Sequence, residues 1–198
     1  MLDWTNVERI ATDVVALRPV YTDTGKATEV ITKSGKRFCD QRDIRSVKQA
    51  LHRSCFIDSK AQSKSVKELL GKEIALPFYL DPDRVFIPLK MRNPKTGSDP
   101  VYGYVDIAHI ASIEPTPGNR CRLTLRSGAT LDLLCTHATA IKSKELGLTL
   151  AESLKIVFDT GPVAKLGRWR IFEDNVEYYS IKSRRWSDNL DGPPFTPT

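Results

Sequence analysis

Cations and hydroxyls gathered in the first half of the chain have the chemistry of a phosphate-binding segment. Lys60, Lys64 and Lys67 are spaced so that a helix would align them in one stripe. Ser63 adds a hydroxyl donor, and Arg53 precedes the stripe. Phosphate oxygens accept hydrogen bonds from such groups, and counterion release favours the contact. The segment predicts a polyanion-binding surface, although solvated helix faces also carry such runs.

Two further groups of cations are candidates for the same role. A polar loop over 90–98 contains Pro94 and Gly97, and its composition is typical of a binding loop. Its cations are Lys90, Arg92 and Lys95. A second set lies beside two Ser-Gly turns and consists of Lys33, Lys36 and Arg126.

Catalytic motifs are missing from the sequence. It contains no Gly-x-Ser-x-Gly, P-loop, His-Glu-x-x-His or dinucleotide fingerprint. Asp106 and His109 are predicted to lie in one strand at odd spacing, and therefore on opposite faces. We expect His52, His109 and His137 to be packed or exposed rather than catalytic. The acidic residues do not cluster as nuclease metals require. The expectation is a protein without enzymatic activity or cofactor.

The four cysteines are scattered and form no Cys-x-x-Cys pair. Cys39, Cys55, Cys121 and Cys135 are expected to be free thiols in a reducing compartment. Cys135 and His137 could supply two metal ligands, but no second pair stands at structural-zinc spacing. We therefore expect no metal site.

The composition fits a globular protein with an anionic partner. The 198 residues are 40% hydrophobic and 27% charged, with a net charge of +6. A basic balance favours a polyanion over an acidic substrate. No apolar run approaches the roughly 18 residues of a membrane span, and the N-terminus lacks the pattern of a signal peptide. A cytoplasmic protein without membrane partners is the expectation.

Hydrophobic periodicity predicts short elements in the first half of the chain. Apolar residues near a 3.6 period predict a helix over 3–17. Alternation over 28–38 predicts a hairpin that turns at 34–36. Residues 43–51 read as a helix with Asp43 at its N-cap.

The second half is expected to continue the same mixture. Two strands are predicted within 76–89, separated by a turn at Asp81-Pro82-Asp83. A further strand is predicted over 101–113. Helices are predicted over 136–146 and 149–158, the second with Thr149 and Glu152 at capping-box spacing.

The segment 123–131 resembles 30–38 in the order of its residues. Both read as a strand, a basic Ser-Gly turn, a strand and then a helix. Either an internal duplication or two common hairpins would give this pattern. The prediction is an α+β fold with antiparallel β-sheets, short helices and two related hairpin–helix units. Its expected divisions are an N-terminal helix or extension (1–26), a core (27–158) and a basic, aromatic C-terminal extension with a disordered tail (159–198).

The order of segments over 28–146 resembles the ComK family of competence transcription factors. The resemblance is carried by Arg53-Ser54-Cys55, the Ser/Lys-rich stretch to Lys67, Leu80-Asp81-Pro82, Val85-Phe86-Ile87-Pro88, Gly103-Tyr104-Val105, His109-Ile110 and the Ser-Gly hairpin near Arg126. The chain departs from the family where Leu89-Lys90-Met91 replaces a Thr and Ser, where Tyr104 replaces a Trp, and where Ser63-Lys64 replaces Gly-Arg.

This resemblance implies a homo-oligomeric activator that binds paired A/T-rich boxes of double-stranded DNA, largely through the minor groove. It also implies a bacterial, nucleoid-associated location and contact with a proteolytic adaptor. Residues 107–114 and 122–128 are similar to a second type of DNA-binding domain, LytTR, which agrees on the class of function.

The sequence thus predicts a DNA-binding transcription regulator. The competing interpretation is a protein-interaction or adaptor module whose basic loops bind an acidic partner protein. A nuclease is a third class, and it would cleave DNA only with divalent metal.

Overall fold

Residues 3–160 are described by a computed structural model, and in them strands outnumber helices. The strands are β1 Asp3–Trp4, β2 Val14–Thr22, β3 Gly25–Thr32, β4 Arg37–Asp40, β5 Phe78–Asp81, β6 Arg84–Lys90, β7 Tyr102–Asp106, β8 Ile110–Thr116, β9 Arg120–Leu125 and β10 Thr130–Leu133. The helices are α1 Ile44–Ser54, α2 Ser59–Leu70 and α3 His137–Thr160. Short 3-10 turns precede β2 and β8, at Val7–Ile10 and Ile107–His109.

The strands form two sheets. Seven of them lie in the order β1-β4-β3-β2-β7-β6-β5, and three in the order β10-β9-β8. Every neighbouring pair is antiparallel except β1 and β4, which are parallel. The predicted α+β class with antiparallel sheets is confirmed.

Both faces of the seven-stranded sheet are buried. On one face Leu17, Val30 and Phe86 pack with the inner side of α1, which contributes Val47 and Leu51. On the other face the sheet packs against the three-stranded sheet and α3, through Ile31, Ile87, Val105, Leu123, Leu131 and Ala140. Helix α1 therefore covers one face of the large sheet, and the three-stranded sheet together with α3 covers the other.

The helix predicted over 3–17 is wrong. Val14 begins β2, which lies between β3 and β7 within the large sheet. Val14, Val15, Ala16 and Leu17 are all buried, because both faces of this strand are covered. Residues 14–22 therefore belong to the large sheet.

Most other predicted elements are confirmed. The hairpin over 28–38, the helix that starts after Asp43 and the two strands around residue 82 are present. Two predictions need correction. The strand expected over 101–113 is interrupted by the turn Ile107–His109, and the two helices expected after residue 136 are one continuous α3.

The two related hairpin–helix units share detailed geometry at a constant spacing of 93 positions (35 to 128, 43 to 136). Gly35 and Gly128 turn with φ of 81° and 84°, values that favour glycine. Asp43 accepts a cap bond from the Ser46 N–H at 2.9 Å. Thr136 accepts the matching bond from the Thr139 N–H at 3.2 Å.

The resemblance extends to the strand before each hairpin. The pairing of β2 with β3 shifts register after Val14, and that of β8 with β9 shifts after Ile110. The two turns also lie beside each other, since a Cβ on Gly35 would be 3.2 Å from the Cβ of Ser127. Arg37 on β4 donates to the Thr130 carbonyl on β10 at 2.8 Å. The two units therefore meet at their turns.

The C-terminal extension was predicted over 159–198, and all of it after Thr160 lies outside the described residues. Within residues 3–160, none of the helices combines the length and apolar character that crossing a membrane needs.

Candidate nucleic-acid interface

α1, α2 and the start of β7 enclose a groove of about 710 Å³, called here the α1–α2 groove. The side chains that line it include two tyrosines, Tyr102 and Tyr104. None of its lining residues in the described part of the chain is acidic. Its cations are Arg45, Lys48, Lys60, Lys64 and Lys67.

The sequence of α2 places its basic stripe on the groove. Asp58 caps the helix, with its Oδ1 accepting from the backbone N–H groups of Lys60 at 2.8 Å and Ala61 at 3.1 Å. These bonds to the charged carboxylate hold the pKa of Asp58 below its ordinary value. Gln62 and Val66, on another face of the helix, are buried. The predicted residues that the structure brings together along the groove are Lys60, Ser63, Lys64 and Lys67.

Lys67 differs from the other lysines of the stripe because it already has a partner. Its Nζ lies 2.7 Å from Oε2 of Glu73. Glu73 is largely exposed, and an exposed ion pair of this kind contributes only about 0–1 kcal/mol. Lys67 is therefore a weaker candidate for a phosphate contact than Lys60 or Lys64.

The wall formed by α1 was missed by the sequence analysis. Arg45, Lys48, Gln49 and His52 line the groove at spacings of three and four residues, as one helix face does. The same stripe rule that identified α2 identifies this face. This face of α1 is harder to recognise in the sequence because Gln49 and His52 interrupt its run of cations.

His52 connects the two walls. It is buried, and its Nε2 lies 3.2 Å from Oε1 of Gln62. Tyr79 fixes the orientation of the Gln62 amide: the Tyr79 N–H donates to Oε1 of Gln62, and the Tyr79 carbonyl accepts from Nε2 of Gln62. His52 Nε2 is therefore the donor. Burial lowers the pKa of His52 to about 4, so it is neutral at pH 7. It has a packed, structural role, as the sequence predicted.

Lys48 lies over aromatic rings at the inner side of the groove. Its Nζ is 4.6 Å from the ring centroid of Phe78 and 4.9 Å from that of Tyr104. Burial lowers the pKa of Lys48 to about 8, so the amine is still mostly charged at pH 7. Ring faces partly replace its lost hydration. Such a desolvated cation attracts an incoming anion. Keeping the Lys48 amine charged in this position lowers the free energy of unfolding.

Replacing Lys48 by Met is expected to raise the free energy of unfolding at pH 7 by about 1–3 kcal/mol. The pKa of Lys48 is about 8 when folded and about 10.4 when unfolded, so the unfolded chain binds more protons between these values. The free energy of unfolding of the wild type should therefore rise with pH through this window. K48M has no amine to titrate, so its stability should not show this rise. Urea denaturation at pH 7 and at pH 10 measures both effects.

The exposed Lys60→Met variant is the matched control, and it should retain the wild-type pH dependence of stability. An unchanged pH dependence in K48M would mean that Lys48 is not desolvated as described.

Arg92, a predicted nucleic-acid contact, is placed in the interior rather than on the surface. Its side chain is buried, because backbone carbonyls at the ends of two strands bind the guanidinium. Nε donates to Pro100 and Nη1 to Val20, each at 3.1 Å. The guanidinium also lies 4.3 Å from the ring centroid of Tyr21. Arg92 therefore ties its loop to Pro100 and Val20, and it is a weaker candidate for a phosphate contact than the exposed cations.

Three other predicted cations do not line the α1–α2 groove. Lys95 is exposed and lies over Tyr21, with 4.3 Å between its Nζ and the ring centroid. Lys90 is half-buried at the end of β6. Arg53 is exposed on α1, and its charge adds to the hydrogen bond from Arg42 that lowers the pKa of Glu8 to about 2.

The cations at the two Ser-Gly turns form a second group. The turns adjoin, as the closeness of Gly35 and Ser127 shows. Lys33, Lys36 and Arg126 are all exposed there. We call these three residues the hairpin-turn cluster. The hairpin-turn cluster has three cations against five in the α1–α2 groove. None of the three lines the groove.

The prediction that Asp106 and His109 point to opposite faces is wrong. The turn Ile107–His109 brings the Nδ1 of His109 to 3.1 Å from Oδ2 of Asp106. Burial is the main influence on Asp106 and raises the pKa of its carboxyl. Oδ1 of Asp106 also caps this turn by accepting from the Ala108 N–H. The pair holds the junction between β7 and β8.

The four cysteines of residues 3–160 are free thiols. Cys121 donates to the carbonyl of Cys135 at 3.4 Å. In the same residues, no three His, Cys, Asp or Glu side chains are grouped so as to hold a metal ion.

No protein family, curated protein or solved structure matches this chain at a significant level. The function of the groove is therefore inferred from its geometry and charge.

Proposed function

We propose that the protein binds double-stranded DNA through the α1–α2 groove and acts as a transcription regulator. The observation that carries this proposal is the convergence of five cations between two helices, in a groove where none of the lining residues from the described part of the chain is acidic. A duplex presents a phosphate about every 1.7 Å along its axis, so several cations on one surface can be neutralised together. Such a groove suits a row of phosphates better than a single small anion.

Two serine hydroxyls and an oriented guanidinium in the groove also suit a phosphate ligand. Ser59 and Ser63 on α2 can donate to phosphate oxygens, which position a protein on its duplex. Arg45 is exposed, and its Nη2 is held by the Ser98 carbonyl at 3.0 Å. A guanidinium that is already oriented loses less freedom on binding.

The preference for A/T-rich sites, the minor-groove approach, the activator role and the homo-oligomeric state are proposals from the resemblance to ComK. Narrow A/T-rich minor grooves have the most negative potential, which attracts Arg and Lys. Copies that contact each other on paired sites would bind more tightly than single copies, because one bound copy raises the effective concentration of the next.

A fluorescence-anisotropy titration of the full chain with A/T-rich and G/C-rich duplexes of equal length tests the proposal. Salt should be varied between roughly 50 and 200 mM, where five phosphate contacts would change affinity by about 500-fold. We expect tighter binding to the A/T-rich duplex and a steep salt dependence. Absence of binding at low salt would refute the function, and equal affinity would refute the A/T preference. Cleavage that requires added Mg²⁺ would instead indicate a nuclease.

A second candidate function is binding of an acidic protein partner. Leu69 and Ile74, which follow the basic stripe, are 49% and 74% exposed, and protein interfaces combine an apolar centre with a polar rim. Competition distinguishes the two candidates. Poly-glutamate at matched charge should displace DNA only weakly if the groove recognises phosphate geometry, and strongly if any acidic chain fits.

A further inference from the structure

Phe56, in the connection between α1 and α2, is almost completely exposed. Its side chain is 98% accessible, more than that of any other large hydrophobic residue described. Its neighbours Cys55 and Ile57 are half-buried against the core beneath α1. The chain therefore anchors both flanking residues and directs only Phe56 into solvent.

The backbone at Phe56 has an unusual conformation for an aromatic residue. Its φ is +56°, in the left-handed region that bulky side chains rarely occupy. The position ends α1, where the Phe56 N–H donates to Arg53 and the Ile57 N–H donates to His52. This hydrogen-bond pattern ordinarily has glycine at such a position. At the end of α2, Gly71 occupies the corresponding place with φ of +58°.

Two features thus oppose the presence of phenylalanine at this position. Neither exposure nor backbone conformation explains it, whereas a ligand that buries the ring would. Strained residues of this kind are concentrated at binding sites.

The surroundings of Phe56 identify the ligand. Arg53 precedes it and is exposed, and Lys60 follows it and lines the α1–α2 groove. His52 and Ser59, on either side of the connection, also line the groove. Phe56 itself does not line the groove, but residues on both sides of it in the chain do. In DNA the stacked base pairs offer planar, apolar surfaces next to the phosphates that such a groove would contact.

We propose that Phe56 inserts between adjacent base pairs of the bound duplex and bends it. Proteins that approach the minor groove frequently use such apolar wedges, which partly unstack one step and kink the DNA. Pyrimidine–purine steps such as TA unstack most easily, so the wedge favours sites that contain one. This inference rests on the proposed function, and it adds the residue that deforms the DNA.

The test compares wild type with Phe56→Gly. Glycine suits the left-handed backbone, so this variant should fold at least as stably as wild type. Fluorescence energy transfer between dyes on the two ends of an A/T-rich duplex reports bending, and anisotropy reports affinity. We expect F56G to lose the bend and about 10- to 100-fold in affinity, the range that base–aromatic stacking supports. Its salt slope should be unchanged, because no phosphate contact is removed.

Ile74→Ala, at another exposed apolar residue, is the matched control and should bind and bend DNA as wild type does. If F56G bends DNA normally with unchanged affinity, the wedge is refuted. The proposed function survives that result if charge removal in the groove still abolishes binding, and fails if wild type does not bind duplex at all. A change in self-association of F56G without a change in bending would also overturn the wedge, in favour of contact with a second copy.

Discussion

Replacing Arg45, Lys60 and Lys64 together by Ala is expected to weaken DNA binding by roughly 100-fold or more at 0.1 M salt. Each lost phosphate contact removes about 0.9 from the slope of log affinity against log salt, so the slope should fall by about 2.7. The three side chains are exposed and line one groove, so their removal should not unfold the protein. Anisotropy titrations at four salt concentrations provide both quantities.

The charge-matched control is the triple Ala variant of the hairpin-turn cluster, Lys33, Lys36 and Arg126. Both variants reduce the net charge from +6 by three, so any effect of overall charge is the same. The control should keep the wild-type slope. If it loses the slope while the groove variant keeps it, the duplex binds at the Ser-Gly turns and the α1–α2 groove is not the interface.

Gly103→Ala is expected to lower the free energy of unfolding by about 1–3 kcal/mol, as overpacking of a core does. A Cβ at this position would lie 2.3 Å from Sδ of Met91 and 2.6 Å from the carbonyl oxygen of Leu17. The Met91 side chain can move, but the carbonyl belongs to β2 and is fixed by the sheet. Urea denaturation followed by circular dichroism measures the loss.

Gly97→Ala is the control for this substitution, since a Cβ there would meet no atom within 4 Å. Its stability should remain within about 0.5 kcal/mol of wild type. Equal stability of G103A and wild type would show that β2 and β7 can separate without cost.

Local signals in the sequence predicted much of the fold. The cap at Asp43, the turns at Gly35 and Gly128, and the turn after Asp81 depend on residues close in the chain. The β2 strand was missed because Val7, Ile10, Val14 and Leu17 satisfy a helical period. What decides its structure is burial on both faces by segments distant in sequence, which periodicity does not report.

The candidate site was predicted in part for the same reason. The α2 stripe is a local pattern: the spacing of the three lysines would align them on a helix or cluster them in a loop, and the structure forms the helix. The partners of Arg92 and Lys67 are not visible as sequence patterns: the carbonyls of Pro100 and Val20 bind Arg92, and Glu73, beyond the end of α2, pairs with Lys67. The partnership between α1 and α2 depends on tertiary packing through Gln62 and Tyr79.

The position of β7 next to β2 has a consequence for synthesis on the ribosome. β3 can pair with β2 at once, but the other edge of β2 waits for residues 102–106, which follow its end by 80 positions (22 to 102). At translation rates of about 5–20 residues per second, the nascent chain keeps this edge open for roughly 4–16 s. Slow decoding of the stretch before β7 would therefore lengthen the time in which emerging chains can aggregate through β2.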